Sequence, residues 1–161
     1  MTEGTKSWLF GCHSITHSIL VIKAWKHIYK VYPKLWQIIC IFLHDIGYCG
    51  TNYITDKTNK QHALMGAVIA KKLFGQKGYD FCIGHSMSYC IEHGLPLSKL
   101  EAPDDYSWII APHWFLKLNT IIEPQLHHER WRQAVKDNWA KGINNRIAGF
   151  ELAKQLWNNE I

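Results

Sequence analysis

An apolar run from Trp36 through Leu43 stops at two adjacent metal-capable side chains, His44 and Asp45, and the chain turns polar after Ile46, Gly47 and Tyr48. No other stretch constrains the fold as strongly. The run is apolar nearly all round, so a helix from Lys34 to Asp45 belongs at the centre of a core, and its last turn carries an imidazole and a carboxylate there. Neighbouring side chains on a helix point about 100° apart, so His44 and Asp45 can converge on one ion only at a helix end, where the backbone bends. Gly47 is expected to supply that end. Burying an ionised aspartate and an imidazole without partners is costly, so the pair either reaches solvent or holds a cation.

The flanking sequence reads as further helices. From Ser14 to about Val31, Ile15, Ile19, Ile22, Trp25 and Ile28 recur at three- and four-residue spacing, with Lys23, Lys26 and Lys30 on another face and Pro33 as the stop. His13 and His17 are four apart and share a face; each by itself reads as a cap or a packed core residue. Thr58 or Asn59 can cap a helix through Phe74 that is closed by Gly75, with His62, Met65, Ile69 and Leu73 as its inward stripe. A further helix is expected from Tyr79 to His93, ending at Gly94, with His85 near its middle. Ser98-Lys99-Leu100-Glu101 has the spacing of a capping box for the next helix, which carries Pro103 in its early turns and then Asp104 and Asp105.

Pro112 opens a short segment to about Asn119. Helices are expected after Pro124 to Lys141-Gly142, and from Asn144 to Asn158 with Ile147, Phe150, Leu152 and Leu156 inward. There is no convincing period-two stretch and no internal repeat, so the expected class is all-α, with about seven helices.

The 161 residues are expected to form one domain, and no stretch approaches the roughly 18 apolar residues of a membrane span. Met1-Thr2-Glu3-Gly4-Thr5-Lys6 lacks the pattern of a secretory leader, so a soluble, cytoplasmic protein is expected. Five cysteines, Cys12, Cys40, Cys49, Cys82 and Cys90, stand singly without a Cys-x-x-Cys pair and read as reduced core residues. Before Asp45 the only acid is Glu3, against Lys6, Lys23, Lys26, Lys30 and Lys34, an imbalance that suits a small anionic substrate such as a phosphate ester. In the polar stretch after Gly50, Lys57 and Lys60 are the candidates to meet that phosphate. Three arginines and no basic-aromatic run argue against a duplex nucleic-acid binder.

Taken in order, His17, His44-Asp45, His62, His85 and Asp104 resemble the HD-domain superfamily of metal-dependent phosphohydrolases over about residues 13–110. Smaller details agree: His17-Ser18 with Val21, the tetrad His44-Asp45-Ile46-Gly47 of the HD-Ile-Gly branch, and His62 followed by Gly66-Ala67 and Ile69-Ala70. The resemblance implies an HD-type helical bundle, with 112–161 a helical extension outside the family core. It also implies that His17, His44, Asp45 and Asp104 hold one divalent transition metal, and that Asp45 bridges to a second held by His62 and His85. Iron, manganese, cobalt, nickel and zinc all suit such mixed nitrogen and oxygen ligands.

The implied reaction is hydrolysis of a phosphomono- or phosphodiester, with a nucleotide the expected substrate class, and with His44 and Asp45 at the catalytic centre. The same ligand order occurs in the mixed-valent di-iron oxygenases of the HD type, which are the alternative. Two departures from the family pattern stand out. Asp105 occupies the position of a frequent lysine, leaving Asp105 as the alternative ligand to Asp104. Tyr48 replaces the glutamate of one branch, which argues against that branch's triphosphohydrolase behaviour.

Overall fold

The structure, a computed structural model, describes residues 7–11, 13–49, 62–123, 132–133 and 135–137. Seven α-helices and one 3-10 turn are bounded among these residues, residues 132–133 and 135–137 are also helical, and no strand occurs among them: the fold is all-α. The helices are α1 (Ile15–Tyr29), α2 (Leu35–Leu43), α3 (His62–Phe74), α4 (Gln76–Ile83), α5 (Met87–His93), α6 (Glu101–Ile110) and α7 (His113–Ile122), with the 3-10 turn at Ile46–Tyr48. No described helix is long and apolar enough to cross a membrane. Lys57, Lys60, Cys12 and the helices expected after Pro124 lie wholly or largely outside the described residues.

Two apolar clusters hold the helices together. The larger joins Val21 and Trp25 of α1, Cys40 and Ile41 of α2, Ala63, Ala67 and Ala70 of α3, and Phe81, Cys82 and Ile83 of α4. Within it the Trp25 ring lies 4.7 Å from the Tyr29 ring and 5.8 Å from Phe81 between centroids. The smaller cluster seats Leu20 of α1 against Trp108 of α6, Ala111, and Phe115 and Leu116 of α7. One face of α1 therefore serves both clusters, and His17 lies one turn before Leu20 and Val21 on that face.

The inward faces differ from those expected. On α1 the core positions are His17, Leu20, Val21, Ala24 and Trp25, whereas Ile15 and Ile19 are exposed. Only Cys40 and Ile41 of α2 are buried, and Leu35 is 75% exposed, so the helix is flanked rather than surrounded. On α3 the buried positions are Ala63, Gly66, Ala67 and Ala70, while Met65 and Leu73 point outward. The reason is close approach. A Cβ at Gly66 would fall well inside contact distance of the Leu43 carbonyl oxygen, and one at Gly47 would do the same at the His62 carbonyl. Small residues let the α3 backbone meet the end of α2 and the 3-10 turn, an arrangement that larger side chains would forbid.

Local breaks also differ. The expected Tyr79–His93 helix is two helices, α4 and α5, interrupted at Gly84-His85-Ser86. The Gly84 carbonyl accepts from Ser98 N at 2.9 Å instead of continuing the helical ladder. A Cβ at Gly84 would stand 2.7 Å from that same nitrogen. Ser98 is not the helix cap that its spacing suggests: Leu100 takes the N-cap of α6, and the Ser98 hydroxyl donates to the Phe81 carbonyl at 2.8 Å. Pro103 occupies the first turn of α6, where its missing N–H leaves no helical bond unmade.

Candidate metal centre

α2 ends at Leu43, and the next two residues leave helical geometry in steps. His44 keeps φ −57° and ψ −38°, but Asp45 turns to φ −102° and ψ 9° before the 3-10 turn begins. That change brings the two side chains toward one point, which a continuous helix would not allow. Gly47 does not act through a left-handed φ; only Gly75 and Gly94 among the described glycines have positive φ. It serves instead by admitting the His62 backbone, which seats the first residue of α3 beside Asp45.

Four side chains converge at this point: His17 from α1, His44 and Asp45 from the end of α2, and Asp104 from the first turns of α6. A second group shares Asp45 and adds His62 from α3 and His85 from the α4–α5 break. Each group could hold a metal ion. Asp105, adjacent to Asp104 on α6, belongs to neither group. The interruption of the expected Tyr79–His93 helix at Gly84-His85-Ser86 is what delivers His85, with its ring nitrogen 3.2 Å from Asp45 Oδ1.

The tautomers follow from the outer contacts. His44 Nδ1 lies 2.5 Å from the Ile41 carbonyl, and His85 Nδ1 lies 2.5 Å from the Cys82 carbonyl. A carbonyl only accepts, so both nitrogens carry hydrogen, and in the neutral rings Nε2 is a bare lone pair. The Ser107 hydroxyl donates to the Asp104 carbonyl at 2.6 Å and so meets His17 Nδ1, at 3.4 Å, as an acceptor. All three rings therefore turn Nε2 inward. His44 Nε2 is fully buried and has no hydrogen-bond partner.

Donor spacing tests whether a metal fits. Two ligand atoms each about 2.1 Å from one ion are about 3.0 Å apart at a right angle and about 3.4 Å apart at a tetrahedral angle. In the first group His17 Nε2 is 2.9 Å from Asp104 Oδ1 and 3.5 Å from Asp45 Oδ2, while His44 Nε2 is 3.2 Å from Asp45 Oδ2 and 3.4 Å from Asp104 Oδ1. In the second, His62 and His85 Nε2 are 3.1 Å apart, and lie 3.7 Å and 3.2 Å from Asp45 Oδ1. These separations suit shared coordination, and the orphaned His44 Nε2 gains a partner from it. The two oxygens of Asp45 are divided, Oδ2 to the first group and Oδ1 to the second.

Protonation in the metal-free centre reflects the same crowding. Burial pushes the Asp45 carboxyl up, but the His44 and His13 rings outweigh it and hold the group well below the usual carboxylate range. Asp104 behaves likewise: burial pushes it up, but its close contacts with the His17 and His44 rings outweigh that and lower it. Burial also opposes charge on His44, yet the Asp45 charge and the contacts with both carboxylates raise it well above 6.5. At His17 burial wins over Asp104 and lowers the ring.

Two contributors were not assigned from the sequence. His13 precedes α1 rather than sharing its face, and its Nδ1 lies 2.6 Å from Asp45 Oδ2. Tyr48 is sandwiched between two rings, 3.8 Å from His13 and 4.2 Å from His62 between centroids. The four-residue spacing of His13 and His17 was the only available signal for the first. Tyr48 stood out only as a departure from a family pattern.

No protein-family model, curated protein or solved structure matches this chain.

Proposed function

We propose that the chain is a metal-dependent phosphohydrolase of the HD type, with two divalent transition ions shared by His17, His44, Asp45, His62, His85 and Asp104. The observation that supports it most is the convergence of bare Nε2 atoms and carboxylate oxygens at ligand spacing, with outer hydrogen bonds already fixing the tautomers of His44 and His85. When bound, paired ions supply an acidified water as nucleophile and stabilise the charge that builds on a phosphorus centre. Iron, manganese, cobalt, nickel and zinc all suit this donor set.

The protein's part in this chemistry is positional. Asp45 faces both groups with separate oxygens, His44 is fixed by the Ile41 carbonyl, and Asp104 closes the first group from α6. None of these side chains needs to act as a nucleophile. The substrate class is a phosphomono- or phosphodiester, with a nucleotide as its natural form, and Lys57 and Lys60 are the side chains assigned to its phosphate.

The test is a panel of nucleotides and simple phosphate esters, assayed with metal-free protein reloaded with Mn²⁺ or with Fe²⁺, each with and without oxygen. Phosphate or nucleoside release that is independent of oxygen and is lost in Asp45→Asn is the expected result. Activity confined to iron-loaded protein under dioxygen would overturn hydrolysis in favour of the HD-type oxygenase.

A further inference from the structure

We propose that His13 is a positioning residue for the bridging carboxylate: its Nδ1–H fixes the orientation of Asp45, so that one oxygen serves each metal position. The inference rests on the two-ion reading above. An ionised carboxylate only accepts, so the 2.6 Å contact between His13 Nδ1 and Asp45 Oδ2 has the ring as donor. Among the described residues it is the shortest contact given to the Asp45 carboxylate. His13 is not one of the converging ligand atoms of either group, which separates it from the residues that would hold an ion.

The ring plane of His13 is itself set. It stacks on Tyr48 with a 15° interplanar angle, and the other face of Tyr48 stacks on His62 at 20°. A continuous His13–Tyr48–His62 stack therefore links the side chain that holds Asp45 Oδ2 to a side chain of the second group, which faces Oδ1. A carboxylate can bridge two ions or turn about its Cβ–Cγ bond to present both oxygens to one. Turning would take Oδ2 away from His13, so the hydrogen bond favours the bridging orientation. Losing it should weaken the second ion position more than the first, which keeps His17, His44 and Asp104.

The experiment is a titration of the metal-free full chain with Mn²⁺, followed by calorimetry and by the electron paramagnetic resonance signal of an exchange-coupled ion pair. His13→Phe keeps an aromatic ring for the Tyr48 stack but has no donor, whereas His13→Asn restores an N–H near the Nδ1 position without the ring. The expected result is a second-ion affinity about 10–100-fold weaker in His13→Phe, with the coupled signal replaced by that of isolated Mn²⁺, and recovery of both in His13→Asn. Wild-type affinity and coupling in His13→Phe would overturn the positioning role. Loss in His13→Asn with retention in His13→Phe would also overturn it, by showing that stacking matters and the donor does not. If the wild-type chain itself bound no Mn²⁺, the metal centre and the positioning role would fall together; a normal wild-type pair with an unaffected His13→Phe variant removes the positioning role alone.

Discussion

Gly66→Ala isolates the close approach that seats the metal ligands. A Cβ at this position overlaps the Leu43 carbonyl oxygen and comes within 3.0 Å of its carbon and 3.1 Å of the His44 carbonyl oxygen. These are backbone atoms, which cannot rotate aside as a side chain can, so α3 must move away from the end of α2. Overpacking of this kind costs about 3 kcal/mol at the upper end, and replacing a mid-helix glycine by alanine returns about 1 kcal/mol, leaving a net loss of about 2 kcal/mol. For a chain of this length that lowers Tm by about 4–8 °C.

α3 carries His62, and the backbone it is pushed away from carries His44, so metal affinity should fall as well, by about tenfold or more, the scale seen when supports of metal ligands are removed. Gly94→Ala is the matched control. Its φ of +63° strains any L side chain, yet nothing lies within 4 Å of the added Cβ. It should lose about 1–2 kcal/mol while binding metal normally. Differential scanning fluorimetry and Mn²⁺ calorimetry on both variants make the comparison. If Gly66→Ala matched the wild type in Tm and affinity, or if Gly94→Ala lost affinity equally, close helix approach would not be what positions the centre.

Three further outcomes follow from the same geometry. Asp104→Ala should abolish binding at the first position while Asp105→Ala leaves metal content unchanged in elemental analysis; the reverse pattern would assign the wrong carboxylate. His85→Ala should halve the bound metal at saturation, because His62 and Asp45 alone make a poor site, and a full complement would remove the second position. The pH dependence of the metal-free protein has a definite sign. His44 is raised above 6.5, so its contribution is complete below that pH and is lost as pH rises through the folded value. His17 is lowered from 6.5, so it costs stability as pH falls below that value, while Asp45 and Asp104, lowered from 3.8, lose their contributions as pH falls through their folded values. Urea unfolding should therefore show a maximum near pH 6.5 and a decline on the alkaline side, and Mn²⁺ binding on that side should release a proton from His44; stability rising steadily above pH 6.5 would contradict the assignment.

Helix content and the place of the His44-Asp45 pair at a helix end were legible because an apolar run with an abrupt polar stop is a local signal. The inward faces were not. On α1 the packed face is shifted from Ile15 and Ile19 to Leu20, Val21, Ala24 and Trp25, and on α3 the sequence advertises Met65 and Leu73 whereas the packed face uses Ala63, Gly66, Ala67 and Ala70. Close helix approach favours small residues, and hydrophobic periodicity gives them little weight. The break at Gly84 was hidden for a different reason: it depends on Ser98 capturing the Gly84 carbonyl across 14 positions, a tertiary contact with no local signature. The ordered ligand residues were recognisable only as a set, since His62 or His85 alone reads as a core histidine. His13 escaped assignment because its partner, Asp45, is 32 residues away and meets it only after α2 has bent.

The most direct measurement is anomalous X-ray scattering at the manganese edge from crystals of the full chain grown with saturating Mn²⁺. Two peaks per chain are expected, one enclosed by His17, His44, Asp45 and Asp104, the other by Asp45, His62 and His85, with Asp45 between them. Ordered side chains at these positions with no anomalous density among them would contradict the central claim.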